Sequence, residues 1–447
     1  MGTPATPRTQ ILCASTLYGA ATLAAAIDAG LLGTPDRRLL VVCNNATSPE
    51  LSPSVDQMPG FEELRDRFDG LLSWNETIAP FHPSSWAPRP DDVPIWERHL
   101  RLAWELGDSK VELVVESIQV TPALAITEIF TGAPIRVYAD GLMSYGPTRS
   151  RIDTLIGGRV RELLHLDLVP GLRPLLLTEF GVEPTIVPSE VFLRVLDSLA
   201  ETARDIATLP EPPALVLGQY LSELGILKPE EEEELHVKMV RGCAARGHTQ
   251  VVFKPHPAAP AGWSVRLADE AKKAGVELTV IATPVLAEVL YQRLKPALVV
   301  GCFSTALFTA SAFYGIPVAR VGTEILKERL TPFQNSNRVP VTIVDALLAP
   351  LDDDGSFRPE PELSGLVTAV GFAMQPEIVP TLRPAAERHL AAHHDERTLS
   401  YFKRRRLTAL GLPGGLPGQL AGIPRNATAR GLVRRARRLR RKVLGAR

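Results

Sequence analysis

The stretch Ala297 to Val321 constrains the fold more than any other. An apolar run, Ala297-Leu298-Val299-Val300, stops at Gly301-Cys302-Phe303; a helical pattern opens at Ser304-Thr305; Gly315 then precedes a second apolar run, Ile316 to Val321. A β-branched run that ends at Gly and passes into a pattern capped by Ser or Thr reads as strand, turn and helix, and the return strand completes a βαβ unit. The helix start presents unpaired backbone N–H groups and the positive end of the macrodipole, where an anion can sit, and the hydroxyls of Ser304 and Thr305 add donors there. An ordinary N-cap uses the same residues, so this stretch alone leaves both roles open.

The same rhythm runs through the rest of the chain. Apolar runs at Gln10–Ala14, Arg38–Cys43, Val111–Val115 and Ile135–Tyr138 read as strands. Between them, helical patterns cover Ala20–Ala29, Met58–Leu71, Trp96–Leu106 and Thr121–Phe130, and Leu71–Trp74 reads as one more short strand. A helical stretch from Phe192 to Ala207 and the sequence Leu209-Pro210-Glu211-Pro212-Pro213 then separate two halves. The second half restarts with strands at Ala214–Gln219, Gln250–Lys254 and Val276–Ile281, and with helices from Pro229, near Val265–Ala274 and over Pro284–Leu294. Such alternation predicts parallel sheets covered by helices. At 447 residues the chain exceeds one ordinary core. The expected division is therefore an N-terminal Rossmann-like domain over 1–195, a linker over 196–213, a second Rossmann-like domain over 214–400 and a basic tail over 401–447. Two facing domains of this kind take ligands at the carboxyl ends of their strands and in the cleft between them.

Several function classes fall away. No G-x-G-x-x-G and no Walker loop is present, which argues against dinucleotide oxidoreductases and P-loop enzymes. No apolar run reaches the roughly 20 residues of a membrane span, and the polar start of the chain does not read as a signal peptide. Cys13, Cys43, Cys243 and Cys302 lie far apart with no C-x-x-C spacing, so buried free thiols in a reducing, cytoplasmic setting are expected. No D-x-D flanks a predicted strand. Asp352-Asp353-Asp354-Gly355 reads as a solvated loop and His393-His394-Asp395 as part of a polar helix, so no metal site is expected.

Charge is distributed unevenly. From Tyr401 to Arg447 the chain carries 14 Lys or Arg and no acid, which leaves 35 bases against 50 acids before it. Gly411 to Pro424 reads as a flexible linker, and Gly431 to Leu444 sets Leu432, Val433, Leu439, Val443 and Leu444 among arginines. A short cationic amphipathic segment suits an anionic membrane surface or an anionic polymer; with no aromatic residues interleaved for stacking, it is a poor match for nucleic acid. A merely solvated tail has the same composition.

Three polar groups stand just past predicted strand ends. Asp140, in Tyr138-Ala139-Asp140-Gly141, is placed either to cap a turn or to face the cleft as a base. In Lys254-Pro255-His256-Pro257, prolines on both sides fix His256 beyond its strand, where an imidazole can donate to a phosphate or a developing oxyanion. Phe81-His82-Pro83 has no preceding strand, and His82 is given no role. The third group is Ser304-Thr305. A carboxylate from one half, with an imidazole and a hydroxyl-capped helix from the other, suits transfer from a phosphate-activated donor.

These residues resemble the bacterial sialyltransferases and polysialyltransferases of the GT-B type. The likeness lies in Ala139-Asp140-Gly141, His256-Pro257 and Ser304-Thr305, in the same order and halves as the family's acidic-acidic-Gly, His-Pro and Ser-Ser or Ser-Thr motifs. Leu217-Gly218-Gln219-Tyr220 and the Pro284–Glu288 helix start look similar too. The resemblance spans roughly Gln10 to Arg320 and implies a GT-B-like α/β fold. It also implies an inverting transfer of sialic acid, or a related acidic sugar, from a CMP-activated donor to a glycan or glycolipid acceptor, with no metal or other cofactor in the site. By the same resemblance Asp140 is the general base and His256 the general acid or phosphate ligand. Ser304 and Thr305, with Lys254 and Pro257, hold the donor phosphate, and Glu288, Gln219 and Gly301 lie toward the nucleotide. One position departs from the pattern: Ala139 replaces the first acidic residue, while Asp140, next to Gly, is retained. Such an enzyme serves capsule or surface polysaccharide synthesis at the inner membrane face, where the basic tail would hold it peripherally. The rivals are another CMP- or CDP-donor transferase, such as a glycerol-phosphate transferase, and an inactive glycan-binding scaffold.

Overall fold

A computed structural model describes residues 6–206, 209–256, 262–353 and 360–416, with backbone alone for 262–264. Seven parallel strands form the first sheet: β1 (Arg8–Ala14), β2 (Arg37–Val42), β3 (Gly70–Ser73), β4 (Lys110–Glu116), β5 (Ile135–Ala139), β6 (Val160–Leu166) and β7 (Pro184–Val187). Their order is β3-β2-β1-β4-β5-β6-β7. Five parallel strands form the second: β8 (Ala214–Leu217), β9 (Gln250–Lys254), β10 (Glu277–Val280), β11 (Leu298–Gly301) and β12 (Val318–Arg320), in the order β10-β9-β8-β11-β12. Both orders reverse beside the first strand of their sheet, and the carboxyl ends of the strands flanking that reversal are where such sheets take ligands.

The strands read as near-continuous apolar runs because both sheet faces are covered. Ile11, Leu12, Leu39, Leu40, Val114, Val115 and Val137 are all fully buried. The helix Leu17–Asp28 lies close over the first sheet because Ala20, Ala21, Ala24 and Ala25 offer almost no bulk. Its N-cap, Thr16, accepts from the Gly19 N–H at 2.9 Å, so the helix starts abruptly at the end of β1. The helix Ser189–Thr202 touches both Leu17–Asp28 and the Ala287–Leu294 helix of the second half. It is a packed bridge, and the Pro-rich stretch Leu209–Pro213 leads into β8.

Three sequence expectations change. Met58–Leu71 is no long helix: within it the short helix Glu62–Arg65 is the regular element ahead of β3, and 3₁₀ turns at Pro49–Leu51 and Val55–Gln57 precede it. Strands β6 and β7 were not anticipated. In β6 the apolar pattern is broken by Arg161, Glu162 and His165, and the Glu162 carboxylate faces Arg136 of β5 at 3.3 Å, which in turn faces Glu112 of β4 at 3.5 Å. Charges that pair across neighbouring strands make a covered strand look like a loop in sequence. The expected tail is also packed at its start: Tyr401 and Phe402 are buried, and the helix Arg404–Leu410 lies on Leu363–Met374, with Arg406 Nε donating to the Ala373 carbonyl at 2.7 Å. Of the linker expected over Gly411–Pro424, the first residues are packed, with Leu412 buried and Leu416 N–H donating to Thr408 Oγ1 at 2.7 Å; its remainder and the cationic segment lie outside the described residues.

All four cysteines are buried and unpaired. Among the described residues no helix is long and apolar enough to cross a membrane.

Candidate active site

A cavity of about 790 Å³ opens where the two sheets' carboxyl ends face each other. Asp140, Lys254, His256, Glu288, Ser304, Thr305 and Gln219 all line it. Gly301 does not; it is the buried last residue of β11, one step behind the wall. Pro257 lies outside the described residues.

The two halves meet through their motifs. The backbone N–H of Leu142, just past Asp140-Gly141, donates to Thr305 Oγ1 at 3.3 Å. Gly141 permits the approach, since a Cβ there would stand 3.1 Å from the same oxygen. Ser304 is the N-cap of the helix Thr305–Tyr314, its hydroxyl accepting from the Ala306 N–H at 3.2 Å. Gln219 is a strut: its side-chain oxygen accepts from the Phe303 N–H at 2.9 Å and so fixes the turn before the helix. Glu288, deeply buried in the first turn of Ala287–Leu294, accepts from Thr309 Oγ1 at 2.7 Å.

Asp140 follows β5, whose Tyr138 is anchored by donation of its hydroxyl to the Cys13 carbonyl at 2.9 Å. Gly19 lets the helix Leu17–Asp28 come close to it: a Cβ there would lie 2.9 Å from the Tyr138 hydroxyl and 3.5 Å from Asp140 Oδ2. Burial, and then the neighbouring Glu116 and Glu288 carboxylates, push the Asp140 carboxyl up to about 7. A carboxylate so poised takes a proton far more readily than a solvated one.

On the opposite wall burial lowers the Lys254 ammonium, against the pull of Glu288. His256 opens onto the cleft from the end of β9, with the Tyr220 ring 6.1 Å away. Partial desolvation, and then the adjacent Lys254 charge, hold its imidazole below the ordinary histidine value. At neutral pH it is therefore mainly the neutral ring, a hydrogen-bond donor to phosphate more than a cationic acid.

Sequence reasoning missed three wall residues. Glu116 ends β4 beside Asp140's strand and accepts from Ser15 Oγ at 2.5 Å and Ser15 N–H at 3.2 Å. It lay past an apolar run just as Asp140 does, and that signal could have found it. Tyr18, in the first turn of Leu17–Asp28, carries a buried hydroxyl without a partner at the cavity wall. Arg149 brings a guanidinium to the cavity; its backbone N–H donates to Gln119 Oε1 at 2.6 Å and its carbonyl accepts from the Gln375 amide. No local pattern in the sequence marks Tyr18 or Arg149.

Two facing parallel α/β domains with a cleft between the carboxyl ends of their sheets form an architecture of the GT-B type. Residues 10–323 match the alpha-2,8-polysialyltransferase family, and the chain belongs to it. It is thus a sialyltransferase-like glycosyltransferase. Similar solved structures include MurG of Acinetobacter baumannii, at 11% identity and TM-score 0.41 over 87% of this chain and 97% of that one. The GT-B domain of a sialyltransferase from Photobacterium damselae matches at 12% identity and TM-score 0.38, over 75% and 96%. The E. coli heptosyltransferase WaaC matches at 14% identity and TM-score 0.36, over 70% and 88%. No curated protein matches the chain in sequence.

Proposed function

We propose that the chain transfers a sialyl residue, or a related acidic sugar, from its CMP-activated donor to a glycan hydroxyl with inversion at the anomeric carbon. The observation that carries this reading is the Leu142–Thr305 bond, which sets the Asp140-Gly141 turn against the Ser304-Thr305 helix start in one cavity. The donor phosphate sits at that helix start, where the backbone N–H groups and the hydroxyls of Ser304 and Thr305 meet it, with the Lys254 ammonium and the His256 imidazole alongside. Asp140 takes the proton of the acceptor hydroxyl as its oxygen attacks the anomeric carbon. The bond from that carbon to the phosphate oxygen breaks, and CMP departs with the electron pair. The Lys254 ammonium, the His256 N–H and the helix dipole stabilise the departing charge, and no metal ion enters this proposed step.

Arg149 is the guanidinium best placed for the sugar carboxylate, which it can hold in a two-point bond. Glu288 and Gln219 stand toward the nucleotide. The acceptor is a glycan or glycolipid, and the cationic segment beyond the described residues holds the enzyme on the inner membrane face.

A donor screen tests the reading. Purified full-length protein with a mixed glycan acceptor pool is expected to release CMP from CMP-sialic acid and to leave CDP-glycerol intact. Turnover of CDP-glycerol in place of CMP-sialic acid would make it a glycerol-phosphate transferase, and binding of CMP without turnover of any donor would make it a scaffold.

A further inference from the structure

A second convergence of ligating groups lies among the C-terminal helices, and none of its members lines the cleft. The helix Arg383–Ala392 carries His389 in its last turn, and His393 is its C-cap residue. A spacing of four places both imidazoles on one face, and their rings stack with centroids 4.6 Å apart. Glu362, the N-cap residue of Leu363–Met374, stands beside them. One ligand atom from each of the three falls within 4.8 Å of the others.

His389 is the informative member. It is only 7% exposed, and both of its ring nitrogens are buried without a hydrogen-bond partner. An unpaired buried polar atom costs about 1–3 kcal/mol, so a neighbour that would satisfy it is expected. Gly365 makes the space: a Cβ at that position would stand 2.5 Å from His389 Nδ1. His393 Nδ1 lies 3.1 Å from the His389 carbonyl, which can only accept. Nδ1 therefore carries the proton and Nε2 keeps its lone pair, the arrangement in which a second hydrogen bond orients a ligating imidazole. The other nearby acids are committed elsewhere, Glu360 to Arg397 at 2.9 Å and Asp395 to the Thr398 N–H at 2.8 Å.

We propose that Glu362, His389 and His393 bind one divalent transition-metal ion. Two imidazoles and a carboxylate are the ligand set of zinc, with water completing the shell. The ion ties the start of Leu363–Met374 to the end of Arg383–Ala392, and through them steadies Arg404–Leu410, which packs on the same helix. His394 and Asp395 take no part. The relevant pattern in the sequence is the separated pair His389 and His393, not the run His393-His394-Asp395.

The test uses tag-free full-length protein stripped with a chelator and titrated with zinc alone, so no sugar transfer enters the readout. Wild type is expected to retain one zinc per chain after gel filtration and to gain thermal stability as zinc is added. Because a ligand itself is lost, His393→Asn and Glu362→Gln should each weaken zinc by more than the ~10–100-fold typical of losing an outer-shell partner. Both positions are solvent-accessible, so the variants should stay folded, as circular dichroism would show. Absence of stoichiometric zinc in wild type, or equal affinity in wild type and His393→Asn, would overturn the site.

Discussion

Leu142 N–H and Thr305 Oγ1 meet at 3.3 Å, joining residues 163 positions apart across the cleft. The bond uses a lone pair of the Thr305 hydroxyl and leaves its proton free for a phosphate oxygen. Thr305→Val keeps the shape but removes both functions. It should raise KM for the CMP donor by about 10- to 100-fold, the range for one lost charge-assisted hydrogen bond. Steady-state kinetics against donor concentration would show it, and an unchanged KM would remove Thr305 from the phosphate site.

Burial and neighbouring carboxylates push the Asp140 carboxyl up to about 7, so on the proposed role as base kcat/KM should fall as pH drops below about 7, where Asp140 becomes protonated. Glu116 contributes to that elevation through its charge. Glu116→Gln should therefore shift the acid limb to lower pH, while a limb that does not move would show that burial alone sets the value.

The raised carboxyl also bears on stability. Asp140 holds its proton more tightly folded than unfolded, so its contribution to stability is present at low pH and is lost as pH rises through about 7. Asp140→Asn should consequently melt above wild type at pH 8, with the gap closing toward pH 5. Melting curves at the two pH values decide this, and a variant that melts lower at pH 8 contradicts the buried, elevated carboxyl.

Much of this site was legible locally, and the reason is geometric. Asp140, His256 and Ser304 each lie within a few residues of the end of an apolar run, so their positions at strand ends could be read without knowing the strand order. Glu116 also follows an apolar run and could have been read the same way, whereas Tyr18 gains its place only once β4 lies between β1 and β5. Arg149 is held by Gln375, 226 positions away, through a C-terminal helix returning onto the first half. No local pattern encodes such a contact. β6 was hidden because polar residues interrupt it, and the Glu162 charge is paired to Arg136 of β5, a fact visible only once the strands are adjacent.

Asp345 anchors the second domain. It accepts from Lys327 Nζ at 2.6 Å and Thr323 Oγ1 at 2.6 Å, with Arg320 at 3.2 Å. Burial acts to raise its carboxyl, but the bonds from Lys327 and Thr323 and the Arg320 charge outweigh it and hold the group below the ordinary value. Its stabilisation is thus present above the unfolded carboxyl's pKa and lost as pH falls through the lower folded one. Asp345→Ala leaves Arg320 its bonds to Glu324 and the Leu348 carbonyl but unpairs Lys327 and Thr323 from their shared acceptor, and should cost about 1–3 kcal/mol. Urea unfolding at pH 7 would measure it, and a loss below about 1 kcal/mol would mean water already screens the cluster.

The measurement closest to the central claim is formation of free CMP and sialylated glycan from CMP-sialic acid by wild type, Asp140→Asn and His256→Ala. Wild type should yield both products in equal amounts. Asp140→Asn should bind donor normally yet transfer at least ~100-fold more slowly, as expected for loss of a general base, and His256→Ala should lose donor affinity as well as rate. Full transfer by Asp140→Asn would contradict the assignment of the base, and failure of wild type to bind CMP would contradict the donor.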